Sequence, residues 1–247
     1  MCIFTQVNPG FSSNLDIYAF IIHPMKGINT VEIPLLYTDP SLIVCVKPVG
    51  ISSESPGLPD LIAEQCGCKA LPVHRLDRGT GGVIVLARSS ASCASMQRLF
   101  QENKVKKEYL AVISGCPDEN EGVFTDLLWH DRQKNKSFIV DRRRAGVKEA
   151  SCAWKLLNSI LYEGQKIALI RVFLHTGRTH QIRVQFGSRG FPLVGDRKYG
   201  SRLPAESVSL WASAISFPSP DQKSGSVSVT SLPPDMFPWN LFDLSAV

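Results

Sequence analysis

Residues 74–87 read HRLDRGTGGVIVLA, a charged cluster that runs through a glycine-rich turn into an apolar, β-branched segment. Glycine has no Cβ, so Gly79, Gly81 and Gly82 open backbone conformations closed to other residues. Val83 to Leu86 has the composition of a buried strand. The pattern predicts a carboxylate, Asp77, held at a strand end between Arg75 and Arg78, a setting suited to an anionic substrate. Taken alone, the stretch also describes an ordinary turn in which Asp77 accepts from backbone amides and the arginines are solvated.

The flanking sequence supplies strands for this turn to join. Apolar, β-prone runs at 33–37 and 42–46, separated by Asp39 and Pro40, predict a hairpin-like entry. A short helix is expected over 58–65, and Ser89 or Ser90 can cap a second, with Met96, Leu99 and Phe100 at helical spacing on its core side. Residues 104–115, KVKKEYLAVISG, pass from basic to apolar, so Tyr109 is placed where solvent meets core. Residues 131–144 hold Arg132, Lys134, Lys136 and Arg142 to Arg144, which predicts an exposed basic loop or hairpin able to grip a phosphate backbone, with Trp129 and Phe138 near enough to stack on bases.

Strands are expected over 150–157, 166–174, 207–217 and 226–230, a short helix through Ile182, Val184 and Phe186, and a tight turn at 195–200. Residues 233–247 form a proline-rich, aromatic tail.

With 247 residues and 44% apolar content the chain can build a substantial core. The formal charge of +5 fits a phosphate-rich partner without requiring one. The cysteines, seven and without framework spacing, suggest reduced thiols and a cytoplasmic protein. Cys66 and Cys68 are the one close pair, and no second pair lies at ligand spacing, so no metal is expected. No apolar run is long enough to span a bilayer, so no membrane association is expected. Residues 1–24 are expected to be an N-terminal extension, loosely attached, and residues 25–247 a single catalytic domain.

The densest set of donors is HTGRTHQIR at 175–183, which calls for a carboxylate or phosphate partner. Together with HRLDRGTGG at 74–82, KKEYLAVISG at 106–115 and GDRKYG at 195–200, it resembles the RluA-type pseudouridine synthases, in order and in spacing, from about Leu35 to about Pro220. Gly81, Gln185 and Ser219 depart from the residues common in that family.

The resemblance implies an α+β fold, a mixed, mainly antiparallel central sheet with flanking helices and loops, the pseudouridine synthase catalytic fold. It implies isomerisation of uridine to pseudouridine in structured RNA, rRNA or tRNA, on a flipped-out nucleotide, by a monomer that uses no cofactor. Asp77 would be the essential aspartate, Tyr109 the tyrosine stacked on the target base and Arg178 the arginine paired with the aspartate. Arg75 would enter the RNA stack as the nucleotide leaves it, with Lys107, His180, Gln181 and Arg183 as further RNA contacts, although His180 and Gln181 could equally be structural. His74 and His175 are expected to be structural.

Asp77 could attack the sixth ring carbon, attack the sugar's first carbon, or remove a sugar proton; all three need the same carboxylate. Two other readings share these residues: an RNA-binding or RNA-chaperone protein with little catalysis, and a metal hydrolase using Asp77 with His175 and His180, for which no histidine pair has helical ligand spacing.

Overall fold

The strand entered from the 74–82 motif is an interior strand of an 11-stranded sheet. The computed structural model describes residues 32–219, 225–245 and 247; the expected extension over 1–24 lies outside them. The strands are β1 (Leu35–Thr38), β2 (Leu42–Lys47), β3 (Leu71–Pro72), β4 (Gly81–Ala87), β5 (Lys106–Ser114), β6 (Glu121–Asp131), β7 (Lys136–Val140), β8 (Val147–Tyr162), β9 (Gln165–Leu174), β10 (Leu210–Pro218) and β11 (Ser226–Thr230). Three helices lie against them, α1 (Leu58–Cys66), α2 (Ser90–Gln101) and α3 (Gln181–Gly187). Their order across the sheet is β1-β2-β4-β10-β5-β9-β8-β6-β7.

All pairings are antiparallel except β4 with β10. The α+β architecture and the entry hairpin match the sequence expectation. The basic segment resolves into the β6–β7 hairpin and the turn that leads to β8.

Alternation along the strands builds two cores. On β5, Tyr109, Ala111 and Ile113 face the side covered by α1 and α3, while Leu110 and Val112 face the other. On β4, Ile84 and Leu86 share the α1 side, and Val83 and Val85 pack with Met96 of α2. Ser89 caps α2 by accepting from the Ser92 amide at 3.1 Å. The aromatic tail covers the second face, burying Trp239 and Phe242 against Trp211 and Leu110.

The sheet forks at its centre, and the fork positions the motifs. β4 runs beside β10 for only two residue pairs, Gly81 with Trp211 and Gly82 with Ala212; farther on, β3 takes the edge of β4 and β11 that of β10. The glycines explain the close approach. A Cβ on Gly81 would lie 2.2 Å from the Trp211 ring. Gly82 has φ +111°, and its Cβ would lie 2.3 Å from the Ala212 carbonyl oxygen.

Gly79 differs from the expectation: its φ is not left-handed, and a Cβ would meet only Val208, at 3.8 Å. Gly82→Ala is expected to lower stability by about 2 kcal/mol or more in chemical denaturation, and Gly79→Ala to change it by no more than about 0.5 kcal/mol.

Candidate active site

Asp77 lies on the connection from β3 to β4, in a turn closed by the Thr80 amide donating to its carbonyl at 2.9 Å. Lys47, at the end of β2, joins this turn to the 48–51 loop beside it. Its ammonium is fully buried and donates to the carbonyls of Pro48 and Ile51 at 2.9 Å, with that of Arg78 at 3.5 Å. Burial pushes the Lys47 pKa down to about 8, and the negative charge of Asp77 opposes the shift. In the sequence Lys47 is marked only as a lone cation ending the apolar run LIVCV.

The carboxylate is held from α3. Arg183 donates from Nη1 to Asp77 Oδ2 at 3.3 Å, while its Nε and Nη2 make a bidentate pair with Asp196 at 2.6 and 2.9 Å. Burial disfavours this charge, and the bonds to Asp196 and Asp77 outweigh it, so the guanidinium pKa is raised.

A second group, His180 Nε2, lies 3.7 Å from the same carboxylate oxygen. Burial pushes the His180 pKa down to about 4 against the pull of Asp77, so the ring is neutral at neutral pH. The Tyr199 hydroxyl, within 3.0 Å of His180 Nδ1, already accepts from the Ser137 amide at 2.8 Å. When the phenol donates its proton to Nδ1, the imidazole proton sits on Nε2, which faces Asp77.

Tyr199 also lies under the Arg183 guanidinium, 5.2 Å from ring centroid to Cζ, and under Lys136, 5.3 Å from Nζ. Ser137 completes the tie by donating to the Thr179 carbonyl at 2.6 Å. The β6–β7 hairpin is thus bonded directly to the residues around the carboxylate.

Asp77 opens into a cavity of about 740 Å³ and is the one carboxylate among the described residues that line it. Tyr109 forms another wall. It is delivered by β5, whose register sets Tyr109 opposite Ala212 and Val172, and so beside both the fork and the strand that leads into HTGRTHQIR. Burial, with the charge of Asp77 second, raises the phenol pKa, so Tyr109 stays protonated at neutral pH. Lys107, Arg75 and Arg178 also line the cavity. Arg75 pairs with Glu54 at 2.9 Å across exposed surface, whereas Lys107 and Arg178 have no acidic partner among the described residues.

The two arginines of HTGRTHQIR exchange their expected places. Arg178 does not pair with Asp77: it is exposed, and its Nε donates to the Glu149 carbonyl at 2.9 Å. Arg183 makes the pair instead, with three of its five N–H donors directed at two carboxylates. The helical turn from Arg178 to α3 points one outward and buries the other against Asp196; the acid of GDRKYG was the signal available in the sequence.

Gln181, expected to touch RNA or to be structural, is buried and bonded within the fold. Its Oε1 accepts from Thr176 Oγ1 and the Arg178 amide, and its Nε2 donates to the Ser151 carbonyl. His74 is bonded within the fold as well, its Nε2 accepting from the Val85 amide at 3.0 Å, and burial pushes its pKa down to about 3. His175 is exposed and sits 3.2 Å from Ser151 Oγ, on the wall of the same cavity. Among the described residues no group of three or more His, Cys, Asp or Glu is placed to hold a metal, and no helix is long and apolar enough to cross a membrane.

Comparison with known proteins places this geometry. Residues 41–188 match the family model described as RNA pseudouridylate synthase. The chain belongs to this family. Within it, the chain is 35% identical over 201 residues to a protein of Aquifex aeolicus named as an uncharacterized RNA pseudouridine synthase, covering 74% of this chain and 61% of that protein. A Haemophilus influenzae protein of the same name is 33% identical over 218 residues, covering 82% of this chain and 88% of its own length. The ribosomal large subunit pseudouridine synthase C of Buchnera aphidicola (strain Sg) is 32% identical over 177 residues, 68% of this chain and 54% of that one. Among solved structures, Human RNA Pseudouridylate Synthase Domain Containing 1 superposes with a TM-score of 0.72 at 23% identity, over 86% of this chain and 88% of that one, which shows the shared fold.

The two buried histidines fix a pH dependence. Both have folded pKa values below the ordinary 6.5, about 3 for His74 and about 4 for His180, so unfolding takes up protons between pH 6.5 and those values. Their contribution to stability is fully present above pH 6.5 and is lost as the pH falls toward 4 and then 3. Denaturation midpoints measured from pH 7 to 4 should fall, and His74→Gln should flatten that slope.

Proposed function

We propose that the chain isomerises uridine to pseudouridine in structured RNA, ribosomal or transfer RNA, with Asp77 as the group that reacts with a nucleotide flipped out of its stack. The observation that carries this is the isolation of Asp77: one carboxylate, held by Arg183, in a cavity whose other polar groups are neutral or cationic. Such a cavity draws in a phosphodiester chain and presents it with one group able to act as nucleophile or base.

Asp77 attacks the sixth ring carbon or the sugar's first carbon, or removes a sugar proton to release a glycal, and the detached uracil turns before carbon rejoins the sugar. Tyr109 stacks on the uracil, and its protonated hydroxyl positions the ring. Arg183 and the Nε2 proton of His180 fix the carboxylate, while Lys107, Arg178 and Arg75 meet the backbone or fill the place that the nucleotide leaves. The β6–β7 hairpin adds a stacking surface, Trp129 on Phe138 at 6.2 Å with Arg144 5.3 Å over Trp129. The name of the Buchnera relative makes ribosomal RNA the first class to try.

Tritium release from RNA labelled at the fifth carbon of uridine tests the reading on ribosomal and transfer RNA. Release is expected with a chelator present and should be lost in Asp77→Asn. Salt-sensitive RNA binding without release from any class would favour the non-catalytic binder instead. Because Arg183 positions the carboxylate, Arg183→Lys should lower kcat by roughly a hundredfold with little change in KM, whereas Arg178→Lys should act mainly on KM.

A further inference from the structure

Asp77 lies between two cavities. The larger holds Tyr109; a smaller one, about 350 Å³, adjoins it, and Arg75, Leu76, Asp77, Thr179, His180 and Arg183 line both. The smaller cavity has a different chemistry. Its remaining lining includes Ser52, Ser53, Arg78, Asn135 and Lys198, with no aromatic or aliphatic platform for a base apart from the shared Leu76 and His180. Four cations line it against two carboxylates, Glu54 and Asp77.

Two of those cations are already taken: Arg75 pairs with Glu54, and Arg183 is spent on Asp196 and Asp77. Arg78 and Lys198 have no acidic partner among the described residues. Each is nevertheless anchored, Arg78 by Nε to the Gly50 carbonyl at 2.7 Å and Lys198 by Nζ to the Asn135 carbonyl at 2.9 Å. Anchoring holds two positive heads at one cavity without neutralising them, which is the preorganisation an anion needs.

We propose that this smaller cavity is a phosphate subsite, in which Arg78 and Lys198 hold one of the two phosphodiesters flanking the uridine. The assignment rests on the proposed function, because it takes the base to lie beside Tyr109. The glycosidic bond then stands at the wall that the cavities share, next to Asp77, and the sugar's ester oxygens point into the smaller space. A phosphate captured there fixes the ribose against the carboxylate, so the subsite aligns the reacting bond while the first cavity selects the base.

The test uses three small probes, uridine, uridine 3′-monophosphate and uridine 5′-monophosphate, titrated into the intact protein at neutral pH and low salt and followed by NMR. One of the monophosphates should bind roughly tenfold or more tightly than uridine, through charge-assisted hydrogen bonds to two cations, and which one wins identifies the phosphodiester. In the double variant Arg78→Ala with Lys198→Ala that advantage should vanish while uridine binds as before; in Arg78→Lys with Lys198→Arg it should persist.

Both side chains are exposed, so the variants should keep the parent's thermal midpoint. Equal binding of all three probes, no binding of any, or an advantage that survives the double alanine variant would overturn the subsite. Phosphate selectivity in a protein that releases no tritium would refute the catalytic reading and leave the subsite standing; tritium release without phosphate selectivity would do the reverse.

Discussion

A guanidinium buried between two carboxylates governs the arrangement of the site. Arg183 is 8% exposed and Asp196 1%, and a charge so removed from water is tolerable only when its donors are matched. Asp196 matches two of them, and the geometry of the planar fork then directs the third at Asp77. Segments far apart in sequence, the turn at 74–80 and the turn around 196–200, are thereby fastened to one side chain of α3. Removing the guanidinium would leave Asp196 buried and unpaired as well as freeing Asp77, so positioning and local stability rest on the same contact.

The sheet supplies what Arg183 cannot, a rigid floor. Because β4 and β10 touch over two pairs and then diverge, the turn that carries Asp77 is set beside Tyr109 of β5 through the intervening strand. The glycines of the motif serve packing more than catalysis: Gly81 admits the Trp211 ring and Gly82 the Ala212 backbone. Lys47 donates to the Pro48 and Ile51 carbonyls of the neighbouring loop and reaches the Arg78 carbonyl of the Asp77 turn, so one buried ammonium joins the two segments.

Much of this was legible in the sequence. Period-two alternation and β-branched runs reveal strands whatever their partners, and a serine ahead of an amphipathic segment marks a helix start, so β4, β5, β9 and α2 fall close to where they were expected. The carboxylate and the tyrosine were legible because each occurs once in its motif. Arg178 and Arg183 were not separable, since what distinguishes them is the burial of Asp196, a tertiary fact. Lys47 and Tyr199 were overlooked for the same reason: a cation at a strand end and a tyrosine in a polar turn look ordinary until the carbonyls, the histidine and the hairpin are brought to them. The parallel contact of β4 with β10 joins strands far apart in the chain, and no local pattern records it.

The tie from Ser137 through Tyr199 to His180 has a mechanical corollary. A hairpin arm that carries exposed cations and is bonded beside its turn, through Ser137 and Tyr199, to the ring facing Asp77 cannot be displaced without disturbing that ring. An RNA that fits both the arm and the carboxylate leaves these bonds intact, whereas one that must push the arm aside to enter would loosen the imidazole and with it the electrostatic setting of Asp77. Discrimination among RNAs can thus be exercised as an energetic penalty on poor fits, some distance from any base and without a residue that reads one.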